Sequence, residues 1–470
     1  MKKAIETFLL ISLMVFIMAG NSLSQDEPTQ TDIKNIIQEV YTQLKENYIY
    51  PDIATKVCDA IHKSLKDGRY NKVKDWETFT NVLNEDFRRV TDDQHLEASV
   101  HKRTFKKERT IKDLVSSSFN SMSYRKKNNF MMPKVEVLEG NIGYIEFTSF
   151  KPLPDPETER IVSSAMDFLS NCDALIIDLR RNGGGHTNMR EFISSYFFDT
   201  PKQLSSTYIR DTGSFYESFT IKDFYNKKLV EVPLYILTSS RTISAPEIFA
   251  YDLQTLERAI VVGETTAGSV NSGRFFTIGN SIDLLIATGF TKNPITDSNC
   301  EGKGITPDVE ATSEEALDVA MSLAKNSAAE CRKNKEIKLN EHIDEFLMRL
   351  EKVEKRIEND RIVAEKALKQ LIKHFYDIEF MTPYLLLDLG DWYLKEGRAN
   401  MAVIILKQGP GYYSGLMEMY IFYKLLAKAY MEMDDKYNAI KCYLEYLRLF
   451  PYDSNTMNKL NDIIENRQAN

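Results

Sequence analysis

The stretch "ALIIDLRRNGGGHTNMREF" (residues 174–192) decides the fold of this chain. "ALIID" is a short apolar run rich in branched residues, the signature of a buried strand. Gly183, Gly184 and Gly185 then interrupt it, and "NMREF" begins a helical pattern. A strand that feeds a helix through a tight glycine turn is the building block of an α/β sheet. The same block recurs on both sides. "GNIGYIEFTSF" (140–150), "VPLYILTSS" (232–240) and "RAIVVGE" (258–264) read as further buried strands. "PETERIVSSAMDFLSN" (156–171) and "APEIFAYDLQTL" (245–256) read as the helices between them. "RFFTIGNSIDLLIATG" (274–289) predicts a hairpin turning at Gly279-Asn280.

Outward from this block, the chain divides into regions. Residues 25–99 carry apolar residues at helical spacing and predict an N-terminal helical bundle, with Asp75 as a helix cap. Residues 100–134 are basic and polar and read as a connector with a solvated face. Residues 135–312 form the α/β domain, and 313–470 read as helical to the end. In that last region Leu389, Gly390, Tyr393 and Ala402 recur 37 residues later as Leu426, Ala427, Tyr430 and Ala439. Small residues at a helix crossing with an aromatic on the next turn resemble tetratricopeptide repeats, whose period is about 34. "GPGYY" (409–413) accounts for the extra length.

Composition limits the function. The chain has 470 residues, 43% of them hydrophobic, enough for two or three cored domains. The net charge of −8 and the lack of a basic stripe interleaved with aromatics exclude nucleic acid as the main partner. "MKK" followed by the apolar run "FLLISLMVFIMAG" (8–20) reads as a signal peptide over residues 1–24. The expectation is export to a periplasm or the exterior, with no membrane-spanning segment in the mature chain. Five scattered cysteines make neither a disulfide framework nor a zinc spacing, and no metal or organic cofactor is expected.

Two positions carry chemistry of uncertain kind when read alone. Ser244-Ala-Pro-Glu247 fits the capping box S-x-x-E, in which Ser244 accepts from a free amide and Glu247 reaches back. The same place suits a nucleophile, because a helix N-terminus favours developing negative charge and leaves the Ala245 amide free. A base is then required, and six histidines are available. His186 follows the glycine run and His95 sits in "TDDQHLEAS" (91–99). Sequence distance does not choose between them.

The ordered set "DQH", "GYIEF", "LIIDLRRNGGG", "LTSSRTISAPE", "RAIVVGETTAG" and "EGKGITPDVE" resembles the superfamily of C-terminal processing (tail-specific) peptidases over residues 31–312. The resemblance implies a ClpP/crotonase-like domain that hydrolyses peptide bonds. The tail-specific branch uses a Ser–Lys dyad with its lysine in a G-K-G. Here that place reads Gly268-Ser269-Val270, so the lysine is missing. The other branch, similar to the tricorn protease core and interphotoreceptor retinoid-binding protein, uses a histidine and a glutamate. Residue by residue, that implies Ser244 as nucleophile, His95 as base and Glu301 as its indirect orienter. It also implies Gly184 and Ala245 as the oxyanion hole. A serine precedes the histidine in the tricorn core; this chain has Gln94, whose amide would bridge instead. A peptide or protein substrate follows, with the C-terminal repeats recruiting it or a protein partner. Two alternatives stand beside this reading: a ligand- or peptide-binding protein on the same fold, and a base at Lys303 or His186.

Overall fold

The computed structural model describes residues 27–101, 110–412 and 416–468. The expected signal peptide lies outside the described residues. The chain forms two compact units, Met1–Arg332 and Lys333–Asn470.

The first unit opens with three helices, α1 (Gln30–Asn47), α2 (Pro51–Lys66) and α3 (Trp76–Arg88). Thr29 and Asp75 cap α1 and α3 by accepting from Asp32 N and Thr78 N. Strand β1 (Glu97–Val100) and helix α4 (Ile111–Lys127) follow. Next come β2 (Lys134–Leu138), β3 (Ile142–Glu146), α5 (Pro156–Phe168), β4 (Ala174–Asp178) and α6 (Thr187–Ser194). Then come β5 (Gln203–Ile209), β6 (Ser214–Phe219), β7 (Leu234–Thr238), α7 (Ala245–Thr255) and β8 (Ile260–Gly263). The unit closes with β9 (Ser272–Ile278), β10 (Ile282–Lys292), β11 (Val309–Glu310) and the first turns of α8 (Ala316–Ile357).

Six strands form one sheet in the order β11-β8-β7-β4-β3-β2. All its pairings are parallel except β2 with β3. Every residue of β3, β4 and β7 is buried, as a parallel sheet covered on both faces requires. Ile145, Ile177 and Ile236 face a core that includes Phe192, Phe249 and Leu253. Tyr144, Ile176 and Leu237 face the other way, against Ala316, Ala320, Ala324 and Ala328 of α8. That four-residue alanine spacing lays small side chains on one helix face, which lets the helix approach the sheet closely.

A second sheet has the order β1-β10-β5-β6, with β9 also paired to β10. The β9–β10 hairpin turns at Gly279 and Asn280, both at positive φ. The N-terminal helices do not form a bundle of their own. Ile33, Ile37, Val57, Ile61, Leu83 and Phe87 share one core with Ile278, Leu284 and Ile286 of this sheet. The β5–β6 hairpin has no counterpart in the sequence reading: its strands are half-exposed and lack a continuous apolar run. Within the segment read as a connector, α4 buries none of its residues.

The second unit is helical. It comprises the end of α8, then α9 (Arg361–Asp377), α10 (Pro383–Lys395) and α11 (Ala399–Leu406). Helices α12 (Leu416–Glu432), α13 (Lys436–Leu449) and α14 (Ser454–Gln468) follow. Tyr393 and Tyr430 are both buried, as are Ala402 and Ala439. A β carbon on Gly390 would lie 2.3 Å from Leu406, so glycine is what lets α10 and α11 meet. None of the five cysteines is in a disulfide. No described helix is long and apolar enough to cross a membrane.

Candidate active site

Ligands of open α/β sheets bind beyond the carboxyl ends of the parallel strands, and the site lies there. After β4, residues 179–185 form one loop; after β7, residues 239–244 form its neighbour. Polar bonds lock the two together. Thr242 Oγ1 donates to Leu179 O at 2.8 Å, Ser239 Oγ donates to Arg180 O at 2.6 Å, and Ile243 N donates to Asn182 O at 3.1 Å. Gly184 is thereby pressed on Ser244: a β carbon there would sit 3.3 Å from Ser244 Cβ. At Gly185 a β carbon would lie 2.0 Å from Phe150 O, so that position tolerates no side chain.

Ser244 has φ +70 and ψ −125, a backbone conformation that non-glycine residues rarely adopt. It immediately precedes α7, and its hydroxyl makes no cap bond to the helix. The expected box is therefore only half built. Ser244 N donates to Glu247 Oε2 at 2.7 Å, but the reverse bond, from Glu247 N at 2.9 Å, goes to the Ser244 carbonyl. Ser244, held at positive φ, lines the cleft of this site. Ala245 is the first residue of α7, and its amide has no acceptor within the helix.

Glu247 does more than the sequence reading assigned to it. It is fully buried, and besides Ser244 N its carboxylate accepts from three further donors. Thr266 Oγ1 and Gly268 N each donate to Oε1 at 2.6 Å, and Ser269 N donates to Oε2 at 3.0 Å. One carboxylate thus ties the Ser244 turn to the loop after β8. The signal was on the page in the buried helix face of "APEIFAYDLQ", but S-x-x-E read as a local cap.

Ser269 lies in the loop after β8. It is buried, and its Oγ lies 2.9 Å from His95 Nδ1. His95 is held at its backbone as well: its amide donates to Asp93 Oδ1 at 2.8 Å. Asp93 is itself buried and accepts from Tyr48 Oη at 2.9 Å. Burial of the imidazole holds its pKa below the ordinary 6.5, with the Asp93 charge pulling partly back.

Gln94 is not in this chain of contacts. It is exposed, and its Nε2 donates to Ala267 O at 3.3 Å. The expected bridge between His95 and Glu301 is therefore corrected. Gln94 and His95 are the central residues of a turn closed by Leu96 N donating to Asp93 O at 3.2 Å; there Gln94 bonds the Ala267 carbonyl, and Ser269 occupies the imidazole nitrogen. Glu301 accepts from Val270 N and Asn271 N, both at 2.8 Å through Oε2, and so braces the loop just beyond Ser269. Its Oε1 is buried without a partner. Burial, then the Asp93 charge, push its pKa up to about 7.

Ser244, Gly184, Ala245, Gln94, His95 and Ser269 all line one cleft of about 980 Å³. Apolar wall comes from Ile243, Ile248, Val270, Phe275 and Leu285. His186 and Lys303 are exposed and do not line it. The Gly184 amide is engaged, since it donates to Asn182 Oδ1 at 3.1 Å. Asp93, His95 and Glu301 place their ligand atoms within 4.8 Å of one another. Ser269 and two backbone amides already use His95 Nδ1 and Glu301 Oε2, and the arrangement suits a hydrogen-bonded base better than a metal centre.

Comparison with known proteins bears on the same region. Residues 141–311 match the model of peptidase family S41, and residues 28–139 match the model of the N-terminal domain of Peptidase_S41 in eukaryotic IRBP. Carboxyl-terminal-processing peptidase 2 of Arabidopsis thaliana chloroplasts is 28% identical over 36% of this chain and 31% of its own. The carboxyl-terminal-processing protease of Picosynechococcus is 28% identical over 38% of this chain and 41% of its own. The crystal structure of the tricorn protease is 12% identical, with a TM-score of 0.40, over 64% of this chain and 37% of its own. The chain spans less than half the length of the curated relatives it matches.

Proposed function

Residues 28–139 and 141–311 match two models of peptidase family S41, and from that premise we propose that the protein is a serine peptidase. Ser244 is the nucleophile and His95 the base. The observation that carries this reading is the bond between His95 Nδ1 and Ser269, in a cleft that Ser244 also lines.

The bond matters because of what it leaves over. With Nδ1 engaged, Nε2 remains to take a proton. Ser244 Oγ attacks the carbonyl carbon of a peptide bond as His95 removes its proton, giving a tetrahedral oxyanion. The Ala245 amide faces that charge, and the Gly184 amide joins it once Asn182 Oδ1 gives way. Collapse breaks the C–N bond, His95 returns the proton to the leaving amine, and an acyl-serine remains. Water then repeats the cycle and releases the carboxylate. Ser269 keeps the imidazole in one orientation. Glu301 holds the Ser269 loop through Val270 and Asn271, and Glu247 ties that loop to Ser244. Burial keeps His95 neutral at neutral pH, the state a base needs.

The N-terminal charge-and-apolar pattern supports export to a periplasm or the exterior. In the second unit, the 37-residue recurrence and the buried Tyr393 and Tyr430 support tetratricopeptide-like packing that recruits a substrate or partner protein. The test of the peptidase reading is reaction with a fluorophosphonate probe. Labelling that disappears in Ser244→Ala supports it. A folded protein that stays unlabelled favours the alternative, a binding protein on the same fold.

A further inference from the structure

We propose that helix α4 lies on the surface of an anionic lipid bilayer, with the face formed by Ile111, Leu114, Val115 and Phe119 sunk among the lipids. The proposal goes beyond the peptidase reading and does not depend on it.

The fold leaves this face unused. Thr110 starts α4 with a complete capping box. Its Oγ1 accepts from Asp113 N at 3.2 Å, and its own amide donates to Asp113 Oδ2 at 3.0 Å. Ile111, Leu114, Val115 and Phe119 follow at helical spacing, so they share one side of the helix. All four are exposed, Ile111 by 81% and Phe119 by 72%. Lys112, Ser116, Asn120 and Ser123 occupy an adjoining side. The last turn is tied to the start of α5, where Arg125 pairs with Asp155 at 2.7 Å and Lys126 with Glu157 at 3.2 Å. The turns before it bury no side chain. Large apolar side chains gathered on one exposed face mark an interaction surface.

Charge selects the occupant. Residues 100–134 hold ten lysines and arginines against two acids, Glu108 and Asp113, in a chain whose net charge is −8. Lys102 to Arg109 contribute to that excess by sequence alone; the docking face is Ile111–Phe119. A basic segment with an apolar helix face fits a surface that is negative outside and apolar a few ångströms beneath, which is an anionic bilayer. Nucleic acid offers the negative charge but would leave the four apolar side chains in water. A second copy would bring the same basic segment against this one. Four side chains also cover less than the roughly 800 Å² per partner that a stable dimer buries. The helix is not long and apolar enough to cross the bilayer, so it rests in the interface.

The test is co-sedimentation with phosphatidylcholine vesicles, alone or with about a third phosphatidylglycerol. The chain lacking residues 1–24 serves, since it keeps every described residue and removes the apolar run at 8–20. Binding to the anionic vesicles, weakened by salt, is expected. Phe119→Ser should lower the partition coefficient on the order of tenfold or more. Lys112→Gln should lower it about fivefold. Both positions are exposed, so neither variant should move the melting temperature. Absent binding to anionic vesicles, equal binding to neutral ones, or binding that Phe119→Ser leaves unchanged overturns the proposal. A dimer in sedimentation velocity that Phe119→Ser dissolves also overturns it, in favour of a second copy. Phe119→Trp gives an independent readout. Brominated acyl chains should quench its fluorescence beyond that of the unsubstituted chain, and bound protein without added quenching contradicts the buried face.

Discussion

Ser269 Oγ sits 2.9 Å from His95 Nδ1 in the cleft that Ser244 also lines. The bond orients the base without touching the nucleophile. Ser269→Ala should lower kcat about tenfold or more with little change in KM. That is less than the 10²–10⁴ that removal of the base itself costs. Gln94→Ala should change kcat less than about twofold. Steady-state kinetics on both variants is the check, and the reverse ranking would return the relay to Gln94.

The strained turn separates stability from activity. Ser244→Ala should leave the melting temperature nearly unchanged, because the hydroxyl makes no cap bond. Had it capped α7, the loss would be about 1 kcal/mol. Ser244→Gly should be more stable by roughly 1 kcal/mol, since glycine takes φ +70 without strain. Both should lose kcat on the order of 10⁴-fold. Thermal melts alongside turnover read out the two effects.

Glu247 is a test of the buried hub. Glu247→Gln replaces an acceptor of four donors by an amide whose NH₂ faces N–H groups. A loss of about 3 kcal/mol is expected, as for a buried charged acceptor left unsatisfied. Activity should fall with it, because Ser244 and the Ser269 loop lose their common anchor. Denaturant unfolding would show a lower midpoint; an unchanged midpoint contradicts the role.

Two groups set the pH dependence. His95 works as a base when neutral, and burial lowers its pKa below 6.5, so the acid limb of kcat/KM should fall below the ordinary imidazole range. Glu301 acts on stability. Its folded pKa of about 7 lies above its ordinary 4.5, so the folded state holds the proton more tightly. That stabilisation is complete below about 4.5 and is lost as pH rises through about 7. Glu301→Gln should flatten the stability–pH curve across this window. Kinetic pH profiles and melts at several pH values measure the two separately.

Chemistry should stay in the first unit. Removal of residues 340–470 should spare turnover of a small ester, since the cleft is lined from residues 88–291. Loss of turnover with the first unit still folded would contradict this division.

By itself the sequence determined the parallel sheet, the helix after it and the serine at their junction. Buried strands must be continuous apolar runs, and a glycine turn or a capping pattern is written in neighbouring residues. It also carried the family, because six motifs in order survive even where each is weak. Tertiary structure decided the partners. Ser269 and His95 are 174 positions apart, Glu247 and Ser269 meet only because α7 and the loop after β8 pack together, and Glu301 reaches the loop from yet another segment. Likewise β1 left the expected helical bundle to join β10. Local patterns report what the backbone does within a few residues. Which side chains share a cavity depends on how the sheets stack, and Ser269, isolated in a polar loop, had no periodicity to mark it.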